Sequence, residues 1–182
     1  MEELGREMNS NLKHRGPDDS GIYYNNKIGI LINHTRLAIN DLSNNGHQPM
    51  ESNSGRYIIS FNGEIYNFCK LRKEIENSSY QINWKGHSDT EILLSAIDIW
   101  GLEHTLNKVI GMFSIALYDK REETLCLTRD RFGEKPLYWG FPEINNKSLI
   151  IFGSELSVFK SFYNFEKKIS KEALSLFLNY SY

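Results

Sequence analysis

Residues 61–67 of the sequence, FNGEIYN, carry groups suited to polarising an amide carbonyl. An Asn-Gly pair after an alternating strand is most often a hairpin turn, and alone that is the better explanation. Here the residues after Gly63 take up helical spacing, so we predict a strand, a tight corner at Asn62 and Gly63, and then a helix. Such a corner would leave the Asn62 amide and the Gly63 N–H pointing outward as two donors for an oxyanion.

Two charged residues elsewhere could hold the ends of an amino acid. Arg36, in the run HTRLAIND at residues 34–41, is the residue type that grips a carboxylate through two hydrogen bonds. Taken alone, it is better explained as an exposed residue at a strand end that pairs with Asp41. Asp89, at a predicted helix start, could hold an ammonium group, although the helix dipole by itself accounts for an aspartate there.

The other candidates are better explained by structure than by chemistry. Alternating charges around Gly and Pro in the run TRDRFGEKPLY at residues 128–138 indicate a salt-bridged connection between strands. Cys69 lies within a predicted helix and Cys126 within an alternating strand. We therefore interpret both as ordinary packing or surface cysteines.

Helices and strands are mixed along the chain, which predicts an α/β or α+β fold. Helical spacing is found at about residues 1–13, from Asn67 onward, from Ser88 onward and at residues 170–178. Asn67 is a good N-cap residue, and Ser88 with Glu91 has the spacing of a capping box. Strand-like runs lie at residues 22–24, 28–32, 56–61, 112–118, 124–128, 137–141 and 148–152.

Length and composition limit the class of molecule. The 182 residues suffice for one domain with a real core, and 40% of hydrophobic residues is typical of globular proteins. A net charge of -2 gives no sign of binding to nucleic acid or to an anionic membrane. No apolar run approaches the length of a membrane span, and the first residues hold no signal-peptide core. Two cysteines do not make a disulfide framework, so we predict a cytoplasmic protein.

Several runs, taken in order, resemble one family. They are HRGPDDSG at residues 14–21, Arg36-Leu37, GHQPM at residues 46–50, FNGEIYN, Asp89-Thr90-Glu91 and RDRFGEKPLY at residues 129–138. This series is similar to the glutaminase domain of the asparagine synthetase family over about residues 14–155. Glutaminases of purine and glucosamine synthesis share the chemistry but not these long runs, so the resemblance is specific.

The resemblance implies an α+β fold. It is the four-layer αββα sandwich of N-terminal-nucleophile hydrolases, built on two antiparallel sheets and here with its first strand missing. Residues 1–165 would form the glutamine amidotransferase type 2 domain. Residues 166–182 would begin the linker to a synthetase domain that is absent from this sequence.

The resemblance also implies how glutamine would be held at its α-carbon. Arg36 would bind the α-carboxylate, with backbone contacts from Leu37 and Ile39. Asp89, helped by Glu64, would bind the α-ammonium group. One cation and one anion are a sensible complement to a zwitterion.

At the other end of glutamine, the implied oxyanion hole consists of the Asn62 side chain and the Gly63 N–H. Family members carry Ser and Ile or Val in the arginine loop, where this chain has Ala38 and Asn40. We expect these differences to be tolerated if the loop contributes backbone atoms.

The nucleophile of the implied reaction is not in the sequence. In the family, an N-terminal cysteine attacks the side-chain amide of glutamine, and its own α-amino group is the general base. Here residue 1 is Met and residue 2 is Glu, while Cys69 and Cys126 have their amines in peptide bonds. We expect a truncated sequence whose natural protein begins earlier with Met-Cys-Gly, and we expect the chain as given to be inactive.

In full-length members the synthetase domain would use ATP and Mg²⁺ to amidate aspartate, whereas this domain would need no cofactor or metal. The expected partners are glutamine and that C-terminal domain, with a homodimer as a further option and with neither nucleic acid nor membrane. Three alternatives stay open. They are a non-catalytic glutamine-binding module, a relative that aminates a sugar in polysaccharide synthesis, and a purely structural dimerisation domain.

Overall fold

The computed structural model describes residues 1–144, 147–162 and 169–181. The helices are α1 Glu2–Leu12, α2 Phe68–Glu76, α3 Asp89–Trp100, α4 Leu102–Lys108 and α5 Lys171–Tyr180, with 3-10 turns at Asn44–Gly46 and Leu156–Ser161. The strands are β1 Asp19–Asn25, β2 Ile30–Arg36, β3 Met50–Glu51, β4 Tyr57–Ile65, β5 Gly111–Asp119, β6 Thr124–Arg129, β7 Tyr138–Gly140, β8 Glu143–Ile144, β9 Lys147–Ser148 and β10 Ile151–Gly153. Within these ranges no helix has both the length and the apolar character needed to cross a membrane.

An antiparallel sheet in the order β3-β4-β5-β6 forms the centre of the fold. β4 and β5 pair over nine residues, from Tyr57 opposite Asp119 to Ile65 opposite Gly111. Because side chains alternate between the faces of a strand, the odd-numbered residues of β4 share one face. That face packs on α3 in a buried cluster that includes Ile59, Phe61, Ile92, Leu93 and Ile97. Each such side chain contributes about 1.5–3 kcal/mol on burial.

The opposite face of this sheet is covered by the hairpin of β1 and β2. Ile32 of β2 is fully buried against Ile58 of β4 and Tyr118 of β5. Helix α1 packs on the outer side of the hairpin, and its residues Met8 and Leu12 also join the cluster formed by the second 3-10 turn. The succession of helix, sheet, strand layer and helix confirms the predicted α+β fold with antiparallel sheets.

The second strand layer is made of short pairs in the described residues. β1 pairs with β2, and β10 pairs with β7, each as a separate two-stranded antiparallel unit. Residues from β2 and from β10 line the same cavity, which is described below.

The predicted corner at Asn62 and Gly63 is wrong. β4 continues straight through both residues to Ile65, and the chain turns only at Tyr66 and Asn67 before α2 begins. Continued pairing with β5 keeps the segment extended. Glycine is required at position 63 for another reason, because a side chain there would collide with the Met112 carbonyl oxygen.

Two helix starts differ in detail from their predicted caps. Asn67 stands before α2, but its side chain caps no helix N–H and instead bonds the backbone of Lys108 and Ile110. Ser88 does cap α3, since its Oγ accepts the Glu91 N–H at 3.2 Å. The reciprocal half of a capping box is missing, because the Glu91 carboxylate binds the preceding loop.

The observed strand boundaries differ from the predicted ones where a turn occupies part of the predicted run. The run at residues 28–32 begins later, at Ile30, because Gly29 adopts a φ of 75° in the β1–β2 turn. The run at residues 148–152 divides between the end of β9 and β10. The helix predicted at residues 170–178 is found as α5, whereas α4 was not predicted. The predicted domain boundary after residue 165 lies outside the described residues.

Backbone amides, rather than salt bridges, organise the connection after β6. The Asp130 carboxylate accepts N–H groups at 3.0–3.2 Å from four residues, and no ion pair is formed by residues 128–138 within the described ranges. The four donors are Phe113, Phe132, Glu134 and Lys135. The structural interpretation of this run holds, but the predicted salt bridges are not its cause.

Replacing Asp130 by Asn should destabilise the fold by about 1–3 kcal/mol, because one amide oxygen cannot serve four donors. Burial alone would raise the pKa of Asp130, but the four N–H groups hold that pKa at about 2, below the ordinary 3.8. The ionised carboxylate therefore stabilises the fold fully above the unfolded pKa, and this contribution is lost as the pH falls through the folded pKa. Urea unfolding at a series of pH values should show that the free energy of unfolding falls from neutral to acid pH. In Asp130→Asn this fall should be smaller.

Glu103→Gln is the matched control, since Glu103 is exposed and bonds no described residue. It should change the free energy of unfolding by no more than about 0.5 kcal/mol, since an exposed charge in the first turn of α4 interacts only weakly with the helix dipole. An Asp130→Asn variant as stable as this control would contradict the assignment.

Candidate functional site

A cavity of about 540 Å³ opens beside β4. Its wall includes residues from α1, β2, β4, β5 and β10, together with the start of α3. All seven residues predicted to contact a substrate line it, namely Arg36, Leu37, Ile39, Asn62, Gly63, Glu64 and Asp89. The structure thus brings together residues that are up to 53 positions apart in the chain (89 minus 36).

The direction of the Gly63 N–H follows from the pairing of β4 with β5. Gly63 lies opposite Phe113. The Phe113 N–H donates to the Asp130 carboxylate at 3.2 Å and its carbonyl accepts the Asp130 N–H at 2.8 Å, so both backbone groups of Phe113 point towards β6. Gly63 and Phe113 are therefore a non-hydrogen-bonded pair, and the Gly63 N–H points away from β5. On that side β3 pairs only with Ile58 and Ile59, which leaves an open strand edge.

Side chains cap the N–H groups on either side of Gly63 along this edge. Gln48 Oε1 accepts the Phe61 N–H at 2.7 Å, and Asp89 Oδ2 accepts the Ile65 N–H at 2.9 Å. The Gly63 N–H, about 7 Å along the strand from each, has no hydrogen-bond partner among the described residues. It is a backbone donor held in place by its neighbours and directed at the cavity.

Asn62 and Glu64 project from the face of β4 next to this donor, because residues two apart share one face. Asn62 Nδ2 donates to Ser154 Oγ at 3.3 Å, which uses one of the two N–H donors of the amide. The Glu64 carboxylate forms no hydrogen bond or ion pair with the described part of the chain. Its negative charge therefore lies on the cavity wall without a direct hydrogen-bonding or ion-pair partner in the described residues.

Arg36 ends β2 and is buried, so the interpretation of an exposed arginine paired with the Asp41 carboxylate is wrong. Its Nη1 donates to the Ser43 carbonyl at 2.9 Å, and its Nη2 donates to the carbonyl, not the carboxylate, of Asp41. A side chain at Gly46 would collide with the guanidinium. Since arginine has five N–H donors, the side chain is fixed by backbone acceptors and still has donors for a ligand.

The HRGPDDSG run holds the loop that follows Arg36. The Asp18 N–H donates to the Arg36 carbonyl at 3.1 Å, and the Asp18 carboxylate accepts the Ala38 N–H at 2.8 Å. In this loop Leu37 and Ile39 are exposed at the cavity wall. The sequence marked the run as a motif, but no local pattern indicated which backbone group Asp18 binds.

Asp89 is buried at the first residue of α3. Its Oδ1 accepts the Thr90 N–H at 3.0 Å in addition to the bond from Ile65. Burial raises the pKa of Asp89, and the two backbone hydrogen bonds together with one from the Asn40 side chain only partly offset this rise. No described cation pairs with this carboxylate, so a ligand cation would be favoured there.

Two further polar residues of the cavity were not predicted to have a role. His34 Nδ1 lies 3.1 Å from Ser60 Oγ, and burial lowers the pKa of His34 to about 4, which keeps the imidazole neutral. Gln48 reaches from the Phe61 N–H to Thr90 Oγ1 at 3.4 Å and so joins β4 to α3. Among the described residues no group of three or more His, Cys, Asp or Glu could hold a metal ion.

Gly63→Ala should destabilise the protein by about 1–3 kcal/mol, because the added methyl group overlaps the backbone of β5. Gly140→Ala is the matched control, since a Cβ at that strand glycine meets nothing within 4 Å. Urea unfolding of both variants should separate them. Equal midpoints would show that β5 does not restrict position 63.

Comparison with known proteins gives the family of the chain. The sequence model of a family described as a glutamine amidotransferase domain matches residues 1–182. Glutamine-hydrolyzing asparagine synthetase 1 of Bacillus subtilis is 37% identical over 182 residues, which is 100% of this chain and 27% of that protein. Glutamine-hydrolyzing asparagine synthetase 2 of the same organism is 36% identical over 165 residues, or 90% of this chain and 20% of that protein.

Asparagine synthetase B of Escherichia coli is 38% identical over 137 residues, covering 75% of this chain and 24% of that protein. The chain therefore spans between a fifth and about a quarter of the length of these curated relatives. Both the family match and the relatives lead to one conclusion. The chain belongs to the glutamine amidotransferase domain family.

Proposed function

We propose that the cavity binds glutamine and that this domain is the glutaminase part of an asparagine-synthetase-like amidotransferase. The observation that carries the proposal is the unpaired Gly63 N–H between the capped N–H groups of Phe61 and Ile65. A fixed backbone donor of this kind stabilises the oxyanion that forms when an amide carbonyl is attacked. The remaining N–H of Asn62 supplies the second donor.

Charge complementarity supports glutamine as the ligand. The free donors of Arg36 suit the α-carboxylate, and the buried Asp89 carboxylate, with Glu64 nearby, suits the α-ammonium group. Leu37 and Ile39 contribute backbone contacts beside the carboxylate. The amide end of the ligand then extends along β4 towards Asn62 and Gly63.

In the proposed reaction a cysteine thiolate attacks the side-chain carbonyl, ammonia leaves, and water releases glutamate from the thioester. The two cysteines of this sequence, Cys69 and Cys126, are exposed, and neither lines the cavity. The proposal assigns the attack to an N-terminal cysteine that this sequence does not contain. We therefore expect the chain as it stands to bind glutamine without hydrolysing it.

For the whole protein we propose that the ammonia is used in the ATP-dependent amidation of aspartate. The names of the relatives, which are asparagine synthetases, support this acceptor. ATP and Mg²⁺ would act in a synthetase domain beyond this chain. A sugar acceptor would leave the cavity described here unchanged.

Calorimetry should detect glutamine binding to the chain, and Arg36→Lys should weaken it about 10- to 100-fold, because a lysine cannot replace paired charge-assisted hydrogen bonds. A coupled assay for glutamate should show no ammonia-releasing turnover. Arg121→Lys is the control, since Arg121 is exposed and lies away from the cavity. The absence of glutamine binding, or equal affinities in the three proteins, would overturn the proposal.

Glutamine affinity should fall at acid pH because protonation of Asp89 removes the charge that holds the ammonium group. Burial raises the pKa of Asp89 above its ordinary 3.8, so the fall should begin at a higher pH than for an exposed aspartate. Titrations at several pH values test this. Asp89→Asn should bind weakly at every pH and show no such step, and a flat profile for the unmodified chain down to about pH 4 would contradict the role.

A further inference from the structure

Three consecutive backbone N–H groups precede α3, and two carboxylates bind all of them. Glu91 accepts the Lys85 N–H at 2.7 Å and the Gly86 N–H at 2.9 Å. Asp41 Oδ2 accepts the His87 N–H at 2.9 Å. Glu91 belongs to the helix that this loop enters, whereas Asp41 comes from a different loop, 46 residues earlier.

Asp41 is therefore a link between two parts of the site. Its Oδ1 accepts the Ser43 N–H at 2.8 Å and the Ser43 hydroxyl at 2.6 Å, which closes its own loop. Its carbonyl and that of Ser43 accept the guanidinium of Arg36. Its Oδ2 holds His87, two residues before Asp89. Asp41 thus contacts the guanidinium of Arg36 directly, and it is connected to Asp89 through His87, two residues away along the chain.

The carboxylate of Asp41 is fully ionised at neutral pH. The His87 N–H, followed by the Ser43 hydroxyl, holds the pKa of Asp41 at about 2. Hydrogen bonds to a charged acceptor are stronger than neutral ones, so the link resists opening.

We propose that Asp41 is a positioning residue that fixes the Arg36 guanidinium relative to the Asp89 carboxylate, and so selects ligands with a carboxylate and an ammonium group on one carbon atom. The proposal rests on the proposed binding of glutamine. In such ligands the two charged groups cannot adjust their separation, so a small displacement of one protein group costs affinity for the pair. A ligand that uses only Arg36 is free of this constraint.

Asp41→Asn tests the link, because the amide keeps the backbone carbonyl for Arg36 but weakens the bond to His87. Two probes are titrated by calorimetry, glutamine and its des-amino analogue glutaramate, which has the carboxylate and the amide but no ammonium group. Glutamine affinity should fall about tenfold, as expected for losing one charge-assisted hydrogen bond. Glutaramate affinity should stay within about twofold, since its carboxylate needs only Arg36.

Asp98→Asn is the matched control. Asp98 lies on α3, the helix that begins at Asp89. Like Asp41, it holds a loop through its carboxylate, which accepts the Ser54 N–H at 3.0 Å and the Ser54 hydroxyl at 2.6 Å. It is not among the residues that line the cavity. Both ligands should bind this variant as they bind the unmodified chain.

An equal loss for glutamine and glutaramate in Asp41→Asn would overturn the positioning role, as would unchanged glutamine affinity. If Asp41→Asn does not fold, Ser43→Ala removes the hydroxyl contact to Asp41, together with the bond that Ser43 Oγ accepts from the Asn45 N–H at 3.2 Å. It leaves the Asp41 carboxylate in place, so it should change the ratio of the two affinities in the same direction by a smaller factor. An unchanged ratio in Ser43→Ala would then overturn it. If the unmodified chain binds no glutamine, the proposed function itself fails, and that result is distinct from a failure confined to Asp41.

Discussion

The open edge of β4 is the feature on which the rest of the site depends. Strand β5 uses the other edge completely, so the outward N–H groups from Phe61 to Ile65 need partners from outside the sheet. Gln48 and Asp89 supply two of these partners and leave the middle position at Gly63 to the cavity. Gly63 is only partly buried, so water can satisfy its N–H until a ligand takes that place.

The charged groups around this edge are ordered before any ligand arrives. Arg36 is held by two carbonyl oxygens, and Asp89 is held by two N–H groups. Groups that are fixed in this way lose little conformational entropy on binding. The cost is a buried carboxylate without a cation, which a free amino acid would relieve.

The local spacing of residues predicted most helices and strands correctly. It failed where pairing with a strand distant in sequence decides the structure. The spacing of apolar residues predicted α1, α3 and α5, but helical spacing after Gly63 suggested a corner that pairing with β5 prevents. The family resemblance of the sequence motifs also named seven residues, all of which line the cavity. Gln48 was given no role, and Asp41 only that of a pairing partner for Arg36, because the Phe61 and His87 N–H groups that they bind lie 13 and 46 residues away, beyond any periodic signal.

In the reaction proposed above, the carboxylate of Glu64, which has no partner in the described part of the chain, bears on the release of glutamate. The charged side chains that line the cavity balance, with Arg15, Arg36 and Lys135 against Asp41, Glu64 and Asp89, so a bound glutamine zwitterion would leave the site neutral. Hydrolysis converts the neutral amide into a second carboxylate without adding a cation, so the bound state becomes more negative. Repulsion between this new carboxylate and Glu64 would then favour the release of glutamate from the proposed site.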